Sequence, residues 1–464
     1  MGNHKDFSTL EKALEINLDH SRYGTFAEIG AGQEVVRWFF QAGGANGTIA
    51  KSISAYDMVV SDSIYGKCER YVDQQRLQSM LDYEYDLTVE RLHGERGHNT
   101  CFFAFADTVS ARNYAGTNRC HGWLGVKFQS CSGDEFSQII IHVRMKDNTN
   151  ALQQEALGIV GVNLVYGAFF YFHRPEKLLE SILDNLNADR IEIDMVEFSG
   201  VEFRHVDNRI MSLNLVKLGL SKAAMFGPDK SVLLPSSVFY KKAILVERGS
   251  FRPVNKVNVD IIESAQRLFA GEYELAASEI VPVMEITMNH LMSDGVIDLH
   301  DFLARADILA AMGFKVLISD YLEYYRLGQY LRESTQKPVA ITMGASSLLD
   351  LFNAHYYNDL EGGILEAMGR FFKHEVSVYI YPWLNSDTGE LVTTENLPVE
   401  HDLAHLYKYI LDRGLLTDIV DYNAAYLKIS ARHILKLIRA NEAGWEELVP
   451  EKVAEVINRK RLFR

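Results

Sequence analysis

Apolar and polar positions along this chain follow two different patterns, and the change falls near residue 270. From residue 271 onward, apolar runs of strand length alternate with amphipathic segments of helix length. The apolar runs are EIVPVMEITM (279–288), FKVLISD (314–320), KPVAITMG (337–344) and VSVYIYPW (376–383). Such alternation is typical of βαβ crossovers, in which the strands lie parallel. It predicts a Rossmann-like, mostly parallel α/β domain over 271–464, with a helical C-terminal tail.

Before residue 271 the pattern is mixed. A strand-like run, TFAEIG (25–30), precedes a helical one, QEVVRWFFQAG (33–43), but three later apolar runs follow one another without helices between them. These are TCFFAFADTV (100–109), HGWLGVKFQ (121–129) and SQIIIHVRMKD (137–147). Consecutive strands favour antiparallel pairing in part of a sheet. We therefore predict a mixed-sheet α/β domain over 1–270, and an α/β fold class for the whole chain.

The most apolar segment, ALGIVGVNLVYGAFFYF (156–172), contains one strongly polar residue, Asn163. Its length lies at the lower limit for a helix that crosses a bilayer. Its three glycines would allow a helix to pack closely against other backbone. We therefore expect a helix that is buried in the core of the N-terminal domain, with a membrane span as the alternative.

Composition narrows the class of protein. With 47% hydrophobic and 23% charged residues the chain is typical of a globular protein, and its net charge of -15 argues against a general affinity for nucleic acid. The four cysteines form no C-x-x-C pair, which disfavours a zinc site or a disulfide framework. The N-terminus has no signal-peptide pattern. We expect a cytoplasmic protein that binds no membrane. Tyrosines at helical spacing over 321–330 suit a helix packing face or a subunit interface, and we expect a homo-oligomer.

A glycine-rich turn, EIGAG (28–32), lies between a predicted strand and a predicted helix, which is the context of a cofactor-cradling loop. Gly30 and Gly32 match the first two glycines of such a loop, but Val35 stands at the position of the third. The alternative is a tight turn that needs glycine for its backbone angles. Gly30 and Gly32 are our candidate cofactor-binding residues, and the sequence predicts no particular cofactor and no metal site.

Basic residues gather in one segment, 241–252, of this acidic chain. The candidates for binding a phosphate are Lys241, Lys242, Arg248 and Arg252, with Arg209 as a further member. The alternative is a solvated strand edge on which Glu247 pairs with Arg248.

Polar residues stand where the predicted parallel strands end, and ligands of open parallel sheets bind beyond those ends. Glu285, on a buried strand, would need a partner or a raised pKa, and it is our candidate general base. Asn289 and Ser319 are the candidates for orienting a substrate. His142, near His121, is a second candidate for acid–base catalysis, although a histidine on a strand is often solvated or structural.

Several longer stretches occur together in this chain. They are YGTFAEIGAGQEVVRWFF (23–40), TIAKSISAYDMVVSD (48–62), QQEALGIVGVNLVYGAFF (153–170), YKKAILVERGSFRPV (240–254), DLEGGILEAMGRFF (359–372) and VYIYPW (378–383). In this combination, from about Gly24 to the C-terminus, the chain resembles a widespread bacterial family of cytosolic proteins of similar length. Members of that family carry two labels, nicotinate-nucleotide adenylyltransferase and TonB-dependent receptor.

Neither label is supported by motifs. A TonB-dependent receptor needs a signal peptide and about twenty alternating outer-membrane strands, and neither pattern is recognisable. An adenylyltransferase of the nucleotidyltransferase superfamily should carry a Gly-x-Phe-x-Pro-x-His-x-Gly-His turn after its first strand. The closest fragments are Thr25-Phe26 and Gly97-His98, which lie far apart. A later Ser/Thr-rich motif with an arginine for the triphosphate is not recognisable either. The resemblance therefore assigns no catalytic residue to this chain.

Two hypotheses for function remain. The first is a soluble enzyme, a transferase that acts on a nucleotide or a phosphorylated metabolite, in which the cations bind phosphate and Glu285 acts as the base. The second is a non-catalytic oligomeric or regulatory protein on a degenerate nucleotide-binding fold. An open crevice lined by Glu285, Asn289 and Arg248 would favour the first, and a crevice filled by side chains would favour the second.

Overall fold

The computed structural model describes residues 7–293, 295–373, 375–385 and 388–464. It divides the chain into two compact units, Met1–Lys222 and Ala223–Arg464. The border thus falls before the predicted residue 270, because the strands between the two borders pair into the second sheet and not into the first. Local patterns gave no sign of this, since strand pairing joins residues that are distant in sequence.

The first unit contains one six-stranded sheet. Its strands are β1 (Arg22–Gly30), β2 (Ile49–Ser54), β3 (Cys101–Ser110), β4 (His121–Phe128), β5 (Ser137–Met145) and β6 (Ile191–Gly200). The strand order is β2-β1-β3-β4-β5-β6. Strand β1 lies parallel to β2 and β3, whereas β3, β4, β5 and β6 form an antiparallel meander. The predicted mixed sheet is therefore confirmed.

Helices cover both faces of this sheet. They are α1 (Thr9–Leu18), α2 (Val35–Ala42), α3 (Met58–Tyr65), α4 (Gln74–Arg96), α5 (Asn150–Phe170), α6 (Pro175–Ser181) and α7 (Asn208–Lys217). Helix α4 packs against β1, β3 and β4, and side chains of α1, α2 and α5 join the core against the strands.

Helix α5 contains most of the apolar segment 156–172 and is buried along most of its length. Its polar residue, Asn163, donates to the carbonyls of Ile182 and Asp184 and accepts from Nζ of Lys12, so each end of the amide is paired inside the unit. Among the described residues, no helix combines the length and the apolar character that a membrane crossing requires.

The second unit contains an eight-stranded sheet and two small hairpins. Its strands are β7 (Ala223–Phe226), β8 (Val232–Leu233), β9 (Ala243–Arg248), β10 (Ile280–Thr287), β11 (Met292–Ser293), β12 (Val296–Ile297), β13 (Lys315–Ser319), β14 (Val339–Gly344), β15 (Val376–Tyr381), β16 (Trp383–Leu384), β17 (Leu391–Val392) and β18 (Leu416–Asp418). The order in the large sheet is β18-β15-β14-β9-β10-β13-β7-β8. Six neighbouring strands, from β18 to β13, are parallel, and β7 and β8 add an antiparallel edge. The predicted mostly parallel α/β unit is confirmed.

The second unit contains ten helices in its described part, of which α8 precedes the first parallel strand, α16 and α17 follow the last, and the others lie between parallel strands. They are α8 (Pro235–Val238), α9 (Lys256–Glu272), α10 (Met288–Leu291), α11 (Leu299–Ala311), α12 (Tyr324–Ser334), α13 (Ala345–Leu351), α14 (Gly363–Lys373), α15 (Ala404–Asp412), α16 (Ala431–Ala440) and α17 (Glu451–Lys460).

The order of the six parallel strands, β13-β10-β9-β14-β15-β18, is the 3-2-1-4-5-6 order of the Rossmann fold. Strand β9 is its first strand. The chain leaves β9 toward β10 on one side and later returns to β14 on the other side. The carboxyl ends of β9 and β14 therefore form the topological switch point, where open α/β sheets bind their ligands.

Candidate functional site

Two cavities open at the carboxyl ends of the parallel strands, and both are lined by Arg248 and Ser347. The first has a volume of about 410 Å³ and lies beyond β9, β10 and β13. Its polar lining consists of Arg248, Ser250, Thr287, Asn289, His290, Glu323, Ser347 and Asp350. The second has a volume of about 220 Å³ and lies at the switch point between β9 and β14. This edge of the sheet is the row of strand ends that the sequence indicated.

Arg248 and Glu285 form a two-pronged ion pair between β9 and β10. Nε and Nη2 of Arg248 donate to the two oxygens of Glu285 at 2.8 and 3.0 Å, and the hydroxyl of Ser319 donates to Glu285 at 2.5 Å. Arg248 also donates to the carbonyls of Tyr321 and Leu322. Although burial disfavours the charge, the Glu285 carboxylate raises the pKa of Arg248. Glu285 is fully buried, so this network gives it the partner that the sequence required instead of exposure to a substrate.

The cations of segment 241–252, which the sequence predicts as one phosphate-binding group, lie at opposite ends of β9. Lys241 and Lys242 precede the amino end of β9, whereas Arg248 and Arg252 lie at and beyond its carboxyl end, because an extended strand separates them by roughly 3.3 Å per residue. Lys242 donates to the carbonyl of Ser278, and Arg252 pairs with Asp301 at 2.6 Å.

Arg209, the further member of the predicted cluster, belongs to the first unit. It pairs there with Asp207, the residue that caps α7. Of the five predicted phosphate-binding cations, only Arg248 lines a cavity described above, and its guanidinium is already engaged by Glu285.

Asn289 and His290 lie in the single-turn helix α10 at the wall of the first cavity. Asn289 is exposed and lies outside the strand that carries Glu285, because β10 ends at Thr287. In the described part of the chain, Nδ1 of His290 is buried without a hydrogen-bond partner. Burial and the nearby Arg248 lower the pKa of His290, which favours the neutral imidazole.

The lining of the second cavity includes the buried carboxyl group of Glu247, which the sequence suggested only as the alternative partner of Arg248. Glu247 is 2% exposed, and its Oε1 accepts a hydrogen bond of 2.9 Å from the amide of Asn258. Burial raises the pKa of Glu247 to about 8. Since its neighbour Arg248 pairs with Glu285, Glu247 is a neutral carboxylic acid at pH 7.

A partial match to the nucleotidyltransferase turn follows β9, which the strand order identifies as the first strand of the fold. The residues after β9, the first strand of the fold, read Gly249-Ser250-Phe251-Arg252-Pro253-Val254-Asn255-Lys256-Val257-Asn258. They match the Gly-x-Phe-x-Pro part of the nucleotidyltransferase turn. Asn255 and Asn258 replace its two histidines and Val257 replaces its later glycine. Residues 25–30 belong to the first strand of the chain, whereas β9 is the first strand of the Rossmann-like sheet, and the turn of the motif follows β9.

Both asparagines of this turn have local structural roles. Asn255 caps α9 by accepting from the backbone of Val257 and Asn258, and Asn258 accepts in return from the backbone of Asn255. The remaining amide group of Asn258 then faces Glu247. The turn therefore keeps the backbone pattern of the motif without its imidazoles.

The glycine turn of the first unit is closed by carboxyl groups. Glu28, at the end of β1, accepts from the backbone of Val35 and Val36 at the start of α2, and Asp107 lies beside it on β3. A Cβ on Gly32 would overlap with the carboxyl of Asp107, and Gly30 has a φ of 78°. Gly30 and Gly32 are thus explained by packing and backbone angle, the alternative that the sequence left open.

The two carboxyls at this turn are largely protonated. Burial raises the pKa of Glu28 to about 8, against the hydrogen bonds that it accepts from α2. Burial and the neighbouring Glu28 carboxyl raise the pKa of Asp107 well above its usual range. A pyrophosphate at this turn would lie against the carboxyl groups of Glu28, Asp107 and Glu34. The backbone N–H groups of Val35 and Val36, which could otherwise bind it, donate to Glu28.

His142 belongs to a relay of three side chains in the first unit. Its Nδ1 lies 2.5 Å from Oδ1 of Asp194, and its Nε2 lies 3.0 Å from Nδ1 of His121. His142 is 1% exposed, whereas His121 is partly exposed. Burial and the neighbouring His142 lower the pKa of His121 to about 4. His142 and Glu285, the two predicted catalytic residues, therefore lie in different units.

Comparisons with known proteins yield weak similarities only. No protein-family model and no curated protein matches the chain. The chain is similar to the competence/damage inducible protein CihA from Agrobacterium tumefaciens (14% identity, TM-score 0.26, 34% of this chain and 93% of that one). It is also similar to a CinA superfamily protein from Enterobacter cloacae (12%, 0.27, 36% and 96%). A third similar structure is a putative nicotinate-nucleotide adenylyltransferase from Vibrio parahaemolyticus (13%, 0.26, 48% and 96%). Similarities this low say nothing about the ligand or reaction of this chain.

Proposed function

We propose that the second unit binds a nucleotide-like, phosphorylated small molecule at the carboxyl edge of its sheet, with the phosphate in the first cavity. The observation that carries the proposal is the pair of cavities at and beside the topological switch point, which share Arg248 and Ser347 in their linings. Their volumes, about 410 and 220 Å³, suit a small ligand rather than a macromolecule.

The lining of the first cavity suits a sugar phosphate. Ser250, Asn289 and Ser347 offer neutral donors for phosphate oxygens. Glu323 and Asp350 offer carboxylates of the kind that accept hydrogen bonds from ribose hydroxyls in nucleotide-binding folds. Since these two acids would repel a long chain of phosphates, a nucleoside monophosphate is the ligand class that we favour.

Within this proposal the second unit binds its ligand without the chemistry of a nucleotidyltransferase. The two histidines of that turn are replaced by Asn255 and Asn258, which cap α9 and hold Glu247. Glu285, the predicted base, is engaged by Arg248 and Ser319. Arg248 and Asn289 line the open first cavity, but Glu285 is not in its lining, so the base that the first hypothesis needs is missing there. This favours the non-catalytic protein of the second hypothesis, on a degenerate nucleotide-binding fold.

One observation favours an enzyme as the second candidate. His290 lines the first cavity, its buried Nδ1 has no hydrogen-bond partner among the described residues, and its lowered pKa favours the neutral imidazole at pH 7. If a bound nucleotide is turned over, His290→Gln should abolish turnover and leave binding within about threefold of the wild-type value.

Calorimetric titration of the full chain with AMP tests the binding proposal. Asn289→Asp adds a negative charge to the proposed phosphate subsite and should weaken AMP binding at least about tenfold. Asn441→Asp makes the same change at an exposed residue beyond α16, outside both cavities, and should leave the affinity unchanged. The proposal fails if AMP, IMP and GMP all fail to bind at millimolar concentration, or if the two variants behave alike.

A further inference from the structure

The second cavity has one buried polar group whose hydrogen-bonding capacity is half used. Oε1 of Glu247 accepts from Asn258, but Oε2 has no partner among the described residues. The other titratable groups at this cavity are engaged elsewhere. Tyr381 donates to Asp260 at 2.6 Å, and Arg248 pairs with Glu285. A buried polar atom without a partner is costly, and in a cavity it indicates a contact with a ligand.

The surroundings of Glu247 decide which of its oxygens carries the proton. The backbone N–H of Asn255 donates to Oδ1 of Asn258, which turns the amide N–H of Asn258 toward Oε1 of Glu247. This contact favours Oε1 as the carbonyl oxygen, because a carbonyl oxygen accepts a hydrogen bond more strongly than the hydroxyl oxygen of an acid. In the neutral acid, Oε2 then carries the hydrogen and is the unused donor of a side chain that lines the cavity, while the second lone pair of Oε1 remains an acceptor.

The rest of the lining suits a flat, uncharged ring. The wall includes Tyr381 and Trp383, with Ile261 and Met343 as apolar neighbours. Aromatic side chains of this kind stack on heterocyclic bases regardless of base identity. A volume of about 220 Å³ is smaller than the usual site for a whole drug-sized ligand, so it suits one ring system.

We propose that the second cavity is a base-recognition subsite for 6-aminopurines, in which the neutral acid of Glu247 donates from Oε2 to a ring nitrogen and accepts at Oε1 from the exocyclic amino group. A 6-oxopurine presents a ring N–H to the Oε2–H group, so two donors would face each other. The proton cannot readily move to Oε1 to relieve this clash, because Oε1 accepts the hydrogen bond from Asn258. This subsite rests on the proposed function, because the phosphate of the same nucleotide would lie in the first cavity.

The test compares AMP with IMP, which share ribose and phosphate and differ at the recognised edge. Calorimetry on the full wild-type chain at pH 7 should give an affinity for AMP at least about tenfold above that for IMP. Glu247→Leu should reduce this ratio to about one. Glu247→Gln keeps a donor and an acceptor in the same places and should retain the preference.

A pH series provides a second readout that does not depend on an apolar variant folding. The affinity of the wild type for AMP should be constant between pH 6 and 7.5 and should fall about tenfold per pH unit above pH 8, as Oε2 loses its proton. In Glu247→Gln the affinity should not follow this fall, since an amide does not titrate, and phosphate ionisation is common to both proteins.

The outcomes separate the two proposals. Equal binding of AMP and IMP to the wild type, or the same pH profile for the wild type and Glu247→Gln, overturns the base subsite and leaves the proposed function standing. Failure of AMP, IMP and GMP to bind the wild type overturns the proposed function, and the base subsite with it. A preference for AMP that survives Glu247→Leu, in a variant that unfolds at the wild-type temperature, also overturns the role of Glu247.

Discussion

Each of the two units has a buried glutamic acid beside a strand-to-helix turn, but the surroundings of the two carboxyl groups differ. In each, a parallel strand ends in a buried glutamic acid, Glu28 or Glu247, and a glycine-containing turn leads into a helix. Burial raises the pKa of both residues to about 8. In the first unit the carboxyl binds the start of α2 and the turn packs on Asp107. In the second unit the carboxyl lines a cavity with one oxygen unpaired among the described residues.

The difference teaches that a glycine-rich turn between strand and helix is not by itself a binding site. Gly30 and Gly32 were the stronger match to a cofactor loop, but their turn is filled by neighbouring carboxyls. The turn that begins at Gly249 was not among the predicted cofactor loops, yet Gly249 and Ser250 line the first cavity. What distinguishes the two turns is the space beside them: a Cβ on Gly32 would overlap with the buried Asp107 carboxyl, whereas Gly249 and Ser250 line a cavity of about 410 Å³.

The largest loss of stability should come from breaking the ion pair between Arg248 and Glu285, beside the turn that begins at Gly249. Arg248→Met leaves Glu285 as an unpaired buried charge and should destabilise the second unit by about 3–5 kcal/mol. The corresponding change at the first turn, Arg37→Met, removes a pair with Glu34 in which Arg37 is 61% exposed, and should cost less than about 1 kcal/mol. Urea unfolding of both variants measures the contrast.

A double variant checks the cause. Arg248→Met/Glu285→Leu removes both charges and should recover a large part of the lost stability, although the carbonyls of Tyr321 and Leu322 still lose a donor. If the double variant is no more stable than Arg248→Met, the loss does not come from an uncompensated Glu285.

The next largest loss of stability should come from adding a methyl group at a glycine of each turn, Gly32 or Gly249. Gly32→Ala places a methyl group against the Asp107 carboxyl and should cost about 1–3 kcal/mol. The nearest atoms to a Cβ at Gly249 belong to the ring of Phe251, at 2.9 Å, so Gly249→Ala should cost less. In a double-mutant cycle, Asp107→Ala should relieve the cost of Gly32→Ala, and strict additivity of the two changes would contradict the packing that we describe.

The pH dependence of stability sharpens the comparison further. A carboxyl whose folded pKa is about 8 and whose unfolded pKa is near 4.5 holds a proton in the folded state only, between these values. Each such group therefore lowers stability as the pH rises from about 4.5 to 8, by up to about 1.4 kcal/mol per pH unit, and the loss levels off above pH 8.

Unfolding between pH 5 and 9 measures this loss for each turn separately. Glu28→Gln should flatten the profile of the first unit, and Glu247→Gln that of the second. AMP, present at saturation, should steepen the loss of the second unit's stability above pH 8 in the wild type and not in Glu247→Gln. Identical profiles for the wild type and Glu28→Gln would show that Glu28 is already ionised at neutral pH.

The smallest effect, on reactivity alone, concerns the histidines. Diethyl pyrocarbonate modifies neutral imidazole, so at pH 6 both His121, with a pKa of about 4, and His290, with a lowered pKa, should react while ordinary histidines are mostly protonated. AMP should slow the modification of His290 severalfold and leave His121 unchanged, as mapped by peptide mass spectrometry. Protection of His121 by AMP would place the ligand elsewhere.

The candidate site was only partly predictable. The requirement of Glu285 for a partner followed from a carboxylate on a buried strand, but the identity of the partner did not, because Arg248 is 37 residues away and opposes it only through the pairing of β9 with β10. The residues from Gly249 to Pro253 match the motif in the sequence itself. Their position after the first strand of the fold, however, follows only from the strand order, which identifies β9 as that strand.

Sequence by itself determined the α/β class, the mixed first sheet, the mostly parallel second sheet and the burial of α5. These follow from the spacing of apolar residues, which is a local property of each segment. The tertiary structure alone decided the border at Lys222, the separation of Lys241 from Arg252, and which of two buried glutamic acids faces a cavity. The physical reason is that a buried polar group is defined by its hydrogen-bond partners, and in this protein those partners come from other strands and helices.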